Sequence, residues 1–241
     1  MSSIALITFD LDNTLWDVDR VVRRAEVRMR AWLGERVPVF VERFPPEAMA
    51  GLRASVLAAE PGLRHDLSKF RERLLFTALR QCDLSESSAA SFAAGAFAEF
   101  YAARHEVEYF PDALATLAHL ATRFSLAALT NGNADFTRLG LDRYFAFGFN
   151  AATVGASKPA PDMFEAALRH AGVAPNAAIH VGDHLVDDVQ GARAVGMHTV
   201  WVNLSGNAAG PEAPAPTQEV RKLADIPAAV DVISAGLRES R

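Results

Sequence analysis

The chain has 241 residues, of which 50% are hydrophobic and 22% charged, so we expect a packed core in one large domain or two small ones. Its net charge of −5 argues against a broad basic surface for nucleic-acid polymers. The single cysteine, Cys82, excludes an internal disulfide and any multi-thiolate metal site. No apolar run approaches the roughly 20 residues of a membrane span, and no basic segment precedes the first apolar stretch. We therefore expect a cytoplasmic protein without a membrane span or a secretory signal.

Short apolar segments that end abruptly in polar residues alternate with segments of helical spacing. Such short segments are typical of strands buried on both faces of a parallel sheet, and they cover residues 4–9, 126–129, 179–181 and 199–202. Helical spacing occurs at residues 113–123, 162–171 and 187–195. This alternation indicates βαβ units, in which ligands bind beyond the carboxyl ends of the strands.

The region between the first two predicted strands has a different pattern. It contains no clear strand, and apolar residues recur at helical spacing in three stretches that begin at Val22, Leu67 and Phe92. These stretches predict inserted, bundle-like helices. We therefore expect an α/β fold with a Rossmann-like parallel-sheet core, formed by residues 1–15 and 107–241, and an inserted all-helical domain of residues 16–106.

Asp10 and Asp12 directly follow the first predicted strand. Residues two apart in an extended backbone point the same way, so these carboxylates repel each other unless a cation lies between them or one is protonated. A divalent cation resolves that repulsion and supplies Lewis acidity. The alternative is an acidic turn that merely ends the strand, but the position at a buried strand end, before Asn13 and Thr14, favours a metal site.

A second acidic cluster, Asp183, Asp187 and Asp188, follows the strand predicted at residues 179–181. Asp183 lies at the strand tip. The other two lie about one helical turn later, where acids also favour a helix N-terminus, so a capping role stays open for each. Hard oxygen ligands without a cysteine or histidine cluster favour Mg²⁺ over zinc. We interpret the neighbouring His184 as a loop residue.

Two further positions complete the predicted site. Thr130 and Asn131 follow the second predicted strand, where a hydroxyl and backbone amides can hold phosphate oxygens. Lys158 precedes the helix that begins at Asp162, and it offers a compact positive charge to carboxylates and a phosphoryl group. A lysine by itself is usually a solvated surface residue, so the prediction for Lys158 depends on its order among the other motifs.

Taken in order, these motifs resemble the four motifs of the haloacid dehalogenase (HAD) superfamily. The inserted helical block also resembles the C1-type cap found in that superfamily. The resemblance extends over essentially the whole chain and is carried by Asp10-x-Asp12-x-Thr14, Thr130-Asn131, Lys158-Pro159 and Gly182-Asp183-x₄-Asp188.

The resemblance implies a phosphatase that hydrolyses small phosphorylated metabolites through an aspartyl-phosphate intermediate. Asp10 would attack phosphorus in line, and Asp12 would protonate the leaving alcohol and then activate the hydrolytic water. Phosphoryl transfer needs positioning and charge neutralisation more than elaborate covalent chemistry, which suits these residue types. The transferring phosphoryl group would be bound by Thr130, Asn131 and Lys158.

Mg²⁺ is the cofactor that the resemblance implies. The side chains of Asp10 and Asp183 and the backbone carbonyl of Asp12 would hold the ion. Asp188 would position the water molecules on the metal, and Asp187 is the alternative for this role.

A closer resemblance is to the bacterial phosphatases of the riboflavin pathway, which act on flavin mononucleotide and on 5-amino-6-(5-phospho-D-ribitylamino)uracil. It is carried by residues 9–15, 60–66, 129–133, 157–159 and 180–183. Only residues 60–66 concern specificity, since they predict Arg64, His65 and Asp66 as contacts to the organic part of the substrate. The alternative is a solvated loop between two helices.

Other functions stay open at this point. Two alternatives are enzymes, a 2-haloacid dehalogenase and a phosphatase of another sugar phosphate or nucleotide. Two alternatives are not enzymes. One is a phospho-acceptor domain of the receiver type, whose motif order and length differ, and the other is a relative that only binds its ligand. We expect a small phosphorylated molecule as the partner, no nucleic-acid polymer and no membrane, in a monomer or homodimer.

Overall fold

The computed structural model describes residues 3–239 of the chain. These residues form two compact units. Residues up to Asp17 and from Glu108 onward form an α/β unit, and Val18–Val107 form a helical unit. None of the helices in the described part of the chain is long and apolar enough to cross a membrane.

The helical unit is built on its longest helices. The helix α5 (Glu86–Arg104) packs against both α1 (Val18–Arg36) and α4 (Leu67–Gln81). Apolar side chains at helical spacing, among them Met29, Leu33, Leu79 and Phe100, form the common core. A 3₁₀ turn, Pro61–His65, connects the third and fourth helices. The helices are α1 (Val18–Arg36), α2 (Pro38–Arg43), α3 (Met49–Ala59), α4 (Leu67–Gln81) and α5 (Glu86–Arg104).

The α/β unit contains a parallel sheet of six strands within the described residues. Its strands are β1 (Leu6–Phe9), β2 (Ser125–Thr130), β3 (Phe147–Asn150), β4 (Ala178–Gly182), β5 (His198–Val202) and β6 (Gln218–Val220). Their order is β3-β2-β1-β4-β5-β6, and every neighbouring pair is parallel. The predicted Rossmann-like fold class is thereby confirmed. In this order the strand sequence reverses between β1 and β4, which is where such sheets bind ligands.

Helices connect most of the strands, and one of them differs from the prediction. The predicted helix over residues 187–195 begins instead as a π-helix, Leu185–Gln190, because the Val189 N–H reaches the carbonyl of His184, 3.3 Å away and five residues back. The α-helices of this unit are α6 (Ala113–Ala121), α7 (Ala151–Val154), α8 (Asp162–Ala171), α9 (Gly191–Ala194) and α10 (Ile226–Glu239).

Candidate active site

Polar residues converge at the carboxyl ends of the three strands beside the reversal point. Asp10 directly follows β1, Thr130 ends β2, and Asp183 directly follows β4. Because β1 pairs with both β2 and β4 in parallel, these ends lie along one edge of the sheet. The fold therefore brings together residues that are more than a hundred positions apart in the sequence.

Lys158 is the cation at the centre of this edge. It is only 3% exposed, and its ammonium donates to Asp10 Oδ1 at 2.7 Å, Asp188 Oδ1 at 2.6 Å and the carbonyl oxygen of Leu129 at 2.9 Å. Burial acts to lower the pKa of Lys158, but the two carboxylates outweigh burial and raise it above the ordinary lysine value. Lys158 is thus a fixed positive charge with all three donors engaged.

Asn131 holds the backbone of Lys158 in place. Its side-chain amide donates to the Lys158 carbonyl oxygen at 2.9 Å, and its Oδ1 accepts from the Lys158 N–H at 2.7 Å. The same amide lies 3.3 Å from Asp187 Oδ2. Asn131 therefore acts on Lys158 through the main chain, while its predicted contact to phosphate stays a prediction.

Three carboxylates, Asp10, Asp183 and Asp188, lie close together, and Asp10 and Asp188 contact the ammonium. One oxygen of each lies within 4.8 Å of the others. Burial raises the pKa of Asp10 well above its ordinary value, with Lys158 opposing and the other two carboxylates adding to the rise. Burial likewise raises the pKa of Asp183 to about 6, and Asp188 adds to this. Burial, more than the neighbouring charges, therefore disfavours the ionised forms of Asp10 and Asp183.

A hard divalent cation fits this donor set. Carboxylate oxygens that lie close together and are held apart from bulk water are the ligands such ions prefer. Burial is the main cause of the raised pKa values of Asp10 and Asp183, and the neighbouring carboxylates add to the rise. A bound cation would favour the ionised form of both groups.

Asp188 differs from the other two carboxylates because its oxygens already have partners. Oδ1 accepts from Lys158 and lies 3.1 Å from His180 Nε2, and Oδ2 accepts from the N–H of His184 at 2.9 Å. Burial acts to raise the pKa of Asp188, but Lys158 and His180 outweigh it and lower the pKa below its ordinary value. A Cβ at Gly182 would lie 2.3 Å from Asp188 Oδ2, so only glycine allows this approach. Of the two acids left open by the sequence, Asp188 is the one that contacts Lys158.

His180 and Thr8 form a buried support behind Asp188. His180 is 1% exposed, and its Nδ1 lies 2.7 Å from Thr8 Oγ1. Burial lowers the pKa of His180, which favours the neutral ring. A neutral ring that donates from Nε2 to Asp188 accepts at Nδ1 from the Thr8 hydroxyl. Both residues lie on strands, and although His180 begins the segment 180–183 that carries the closer resemblance, the sequence assigned neither residue a role.

Thr14 and Thr130 place two hydroxyls at the cluster. Thr14 Oγ1 lies 3.2 Å from both Asp10 Oδ2 and Asp183 Oδ1, so its one proton serves either carboxylate. Thr130 Oγ1 accepts from the Gly132 N–H at 2.9 Å. Within residues 3–239 no acceptor is found for the Thr130 O–H, which suits a hydroxyl that donates to a ligand oxygen.

Asp12 lies outside the three-carboxylate cluster found among the described residues. Its Oδ1 accepts from the indole Nε1 of Trp16 at 2.8 Å, and the buried Trp16 packs edge-on against Tyr109. The indole thereby fixes the Asp12 carboxylate. The sequence predicted a chemical role for Asp12 but gave no signal for Trp16.

The three cap residues predicted to contact substrate lie in the helical unit. Asp66 is the N-cap of α4, where it accepts from the Lys69 N–H at 3.0 Å and pairs with the Lys69 ammonium at 3.1 Å. Arg64 Nε donates to the Pro61 carbonyl at 2.9 Å, and His65 ends the same 3₁₀ turn. These contacts build the turn, and substrate recognition by Arg64, His65 and Asp66 stays a prediction.

Comparisons with known proteins decide the family. A family described as haloacid dehalogenase-like hydrolase matches residues 4–196 of the chain. The chain is also 35% identical over 202 residues to the 5-amino-6-(5-phospho-D-ribitylamino)uracil phosphatase YigB of Escherichia coli (strain K12), covering 84% of each chain. The chain belongs to the haloacid dehalogenase-like hydrolase family. The predicted resemblance is confirmed, and the protein is an enzyme.

Two other similar proteins are named for two different activities. The phosphoserine phosphatase of Thermus thermophilus is 36% identical over 163 residues, covering 65% of this chain and 64% of the relative. A crystal structure described as 2-haloacid dehalogenase from Pseudomonas syringae pv. Tomato DC3000 has a TM-score of 0.91 and 40% identity, covering 95% of this chain and 99% of that one. The family is thus shared by two reactions, and the choice between them depends on the site.

Replacing Lys158 by methionine should destabilise this HAD-like hydrolase by about 3–5 kcal/mol at about pH 7 in EDTA, because two buried carboxylates lose their cation. The lowered pKa of Asp188 means that its ionisation stabilises the wild type above the ordinary carboxyl pKa. In the variant, burial without the cation should raise the pKa of Asp188, so the variant loses stability as pH rises from about 4 to about 7 while the Asp188 contribution in the wild type stays constant, and the difference between them widens. Urea unfolding measures it, with Lys222→Met as the matched control, and a pH-independent difference would contradict the assignment.

Replacing His180 by leucine should lower kcat by about tenfold or more, a loss typical for partners that orient a site ligand. Leucine fills similar space but cannot donate to Asp188. His180→Gln keeps a donor, so it should recover part of the lost kcat even if both variants lose similar stability. The test is steady-state kinetics in which both variants are compared at the same concentration of folded protein. Equal kcat values in the two variants would exclude a positioning role.

Proposed function

We propose that this HAD-like hydrolase is a Mg²⁺-dependent phosphatase of small phosphorylated metabolites. The observation that carries the proposal is the buried Lys158 ammonium, which joins Asp10 to Asp188 beside Asp183 at the sheet edge. The buried ammonium holds the Asp10 carboxylate in one orientation. It also places positive charge beside the phosphoryl group that this carboxylate would attack.

In the proposed reaction Asp10 is the nucleophile. One of its carboxylate oxygens forms a bond to phosphorus, the bond from phosphorus to the leaving oxygen breaks, and that oxygen takes the proton of Asp12. Water then attacks phosphorus, gives its proton to Asp12, and inorganic phosphate leaves with Asp10 restored. The Trp16 indole, which donates to Asp12, keeps the acid in one orientation.

Two of this chain's residues bind the phosphoryl oxygens in the proposal. Lys158 supplies charge, and the Thr130 hydroxyl supplies a donor that its own contact with Gly132 leaves available. Asn131 keeps Lys158 in position through the two backbone hydrogen bonds described above. Since three donors of Lys158 are engaged in the protein, a phosphoryl group that binds there shares or replaces one of these contacts.

Asp10 and Asp183 side chains, with the backbone carbonyl of Asp12, are the proposed ligands of Mg²⁺. When bound, the ion neutralises charge on the carboxylates and on the phosphoryl oxygens. Asp188 already accepts three hydrogen bonds, so we assign it to ordering the ligands and any water on the ion. Asp187, which is more exposed and pairs with Asn131, takes no part in this proposal.

The proposed substrates are flavin mononucleotide and 5-amino-6-(5-phospho-D-ribitylamino)uracil. The 35% identity to YigB over 84% of both chains supports this choice, since YigB is named for the second compound. Arg64, His65 and Asp66 are proposed to contact the organic part of the substrate. Both organic parts contain a ribityl chain, so a phosphate ester of a polyhydroxylated alcohol is the shared chemical class.

The Pseudomonas syringae structure makes a 2-haloacid dehalogenase the second candidate. A halide ion leaves without a proton, so that reaction has no use for an acid at Asp12. An alkyl phosphate does need an acid at this position, so the Asp12 carboxylate oriented by Trp16 supports the phosphatase over the dehalogenase.

The function is tested by replacing Asp10 with asparagine, because only a carboxylate can form the covalent intermediate. Wild-type protein should hydrolyse p-nitrophenyl phosphate with Mg²⁺ and stop in EDTA, while Asp10→Asn should lose many decades of rate. The matched control is Asp142→Asn, a surface position that should keep wild-type turnover. Release of halide from 2-chloropropionate in EDTA, with no phosphatase activity, would establish the second candidate instead.

Replacing Asp12 by alanine separates the acid from the nucleophile. The phosphorylation step should slow by about 10²–10⁴-fold for an alkyl phosphate, whose alkoxide needs a proton, and much less for p-nitrophenyl phosphate. Single-turnover measurements isolate that step. Equal losses for the two substrates would assign Asp12 a metal-related or structural role alone.

A further inference from the structure

A second concave surface lies beside the proposed active site, entirely within the α/β unit. It has a volume of about 370 Å³, in the range of small-molecule sites, and Asp183 forms one part of its wall. We call it the β5 groove because most of its lining follows or ends β5. The lining residues are Asn13, Phe110, Asp183, Trp201, Val202, Asn203, Leu204, Ser205 and Asn207.

One wall of the β5 groove is a loop that Asn203 builds. Asn203 is only 3% exposed, and its side-chain amide donates to the carbonyl of Asn207 at 2.9 Å and to Glu219 Oε1 at 2.8 Å. Its Oδ1 accepts from the Asn207 N–H at 3.2 Å. Gly206 closes the turn with a positive φ of 68°. A buried side chain thus fixes the loop that forms the wall.

This construction leaves polar side chains of the loop available to a ligand. Asn207 uses its backbone groups to bind Asn203, and within residues 3–239 its side-chain amide makes no hydrogen bond. The Ser205 hydroxyl has only a long contact, 3.5 Å, to Asn203 Oδ1. Both residues are exposed. They offer a ligand two donors from the amide, one from the hydroxyl, and the acceptors of both groups.

The groove is physically tied to the proposed metal ligand. Trp201, at the end of β5, donates from its indole Nε1 to the backbone carbonyl of Asp183 at 2.8 Å. Asp183 therefore lies between the cluster around Lys158 on one side and the β5 groove on the other. When the phosphoryl group of a substrate lies at Asp10, the β5 groove is therefore the neighbouring surface for the organic part of the same molecule.

The lining selects the chemistry of its occupant. Asp183 is the single charged residue among those described as lining the groove. Apart from Asp183 the wall combines neutral hydrogen-bonding groups, Ser205 and Asn207, with apolar ones, Phe110 and the 38% exposed Leu204. Such a wall matches a neutral chain that carries hydroxyls on one side and C–H groups on the other, and it offers no counter-charge to a second anionic group.

We propose that the β5 groove is the subsite for the organic part of the substrate, and that it binds an uncharged polyhydroxylated chain through Ser205 and Asn207. This rests on the proposed phosphatase function, since the phosphoryl group at Asp10 places the rest of the molecule. The α/β unit then contributes to specificity directly, through residues that no motif marks.

Two substrates that differ only in their hydroxyls provide the test, ribitol 5-phosphate and n-pentyl phosphate. The measured quantity is the ratio of their kcat/KM values, from which changes in active fraction, metal loading or folding cancel. Wild type should favour ribitol 5-phosphate by roughly tenfold or more, since each hydrogen bond to a ligand hydroxyl is worth a few-fold. The double variant Ser205→Ala/Asn207→Ala should bring the ratio close to one.

The matched control is Asn176→Ala, an exposed asparagine before the amino end of β4, at the opposite edge of the sheet, which should keep the wild-type ratio. A double variant with an unchanged ratio overturns the subsite, as does a wild type that hydrolyses p-nitrophenyl phosphate without favouring ribitol 5-phosphate. Both results leave the phosphatase proposal standing. A wild type that hydrolyses no phosphate ester overturns the phosphatase proposal itself.

Discussion

The ammonium of Lys158 is buried with two carboxylates, and the arrangement of the whole sheet edge follows from that contact. A buried charge is tolerated only when it is paired and hydrogen-bonded, and Lys158 meets this condition with Asp10, Asp188 and a strand carbonyl. Other residues in turn hold Lys158 and Asp188 in place. Asn131 holds the lysine backbone, and His180 holds Asp188 from behind. The site is thus a chain of hydrogen bonds that extends from one strand to the next.

The same arrangement places a third carboxylate close to the buried ion pairs. Asp183 lies near Asp10 and Asp188, and burial, with a smaller contribution from the neighbouring carboxylates, raises the pKa values of Asp10 and Asp183. Close carboxylates of this kind are tolerated more easily when a cation binds between them. The proposed reaction uses this property, because a divalent cation at the strand edge also offsets the negative charge of a phosphoryl group.

Much of the α/β unit could be predicted because its buried strands are apolar runs that stop at polar residues. Strand β3 could not, since Gly148 interrupts it and its residues are only half-buried, which weakens the apolar signal. The choice between Asp187 and Asp188 also lay beyond the sequence, because a π-helical turn decides which acid points to Lys158. His180 joins Asp188 to Thr8, which is distant in the sequence, and Trp16 acts through its indole N–H, so no spacing rule indicates these contacts. Motif order predicted that Asp10, Lys158, Asp183 and Asp188 lie together, whereas the position of the Asp12 carboxylate outside that cluster and the supporting partners required the structure.

Acid-quench mass spectrometry shows whether Asp10 carries the phosphoryl group during turnover, as we propose. Protein with Mg²⁺ is mixed with a smaller amount of a phosphate ester, and the reaction is quenched in acid within one turnover. The protein is then digested and analysed for a phosphoryl adduct. The acid protects an acyl phosphate from hydrolysis. We predict a transient adduct on the peptide that contains Asp10, which forms and decays at the rate of turnover. Turnover without any adduct at Asp10, or an adduct on another side chain, would contradict the account.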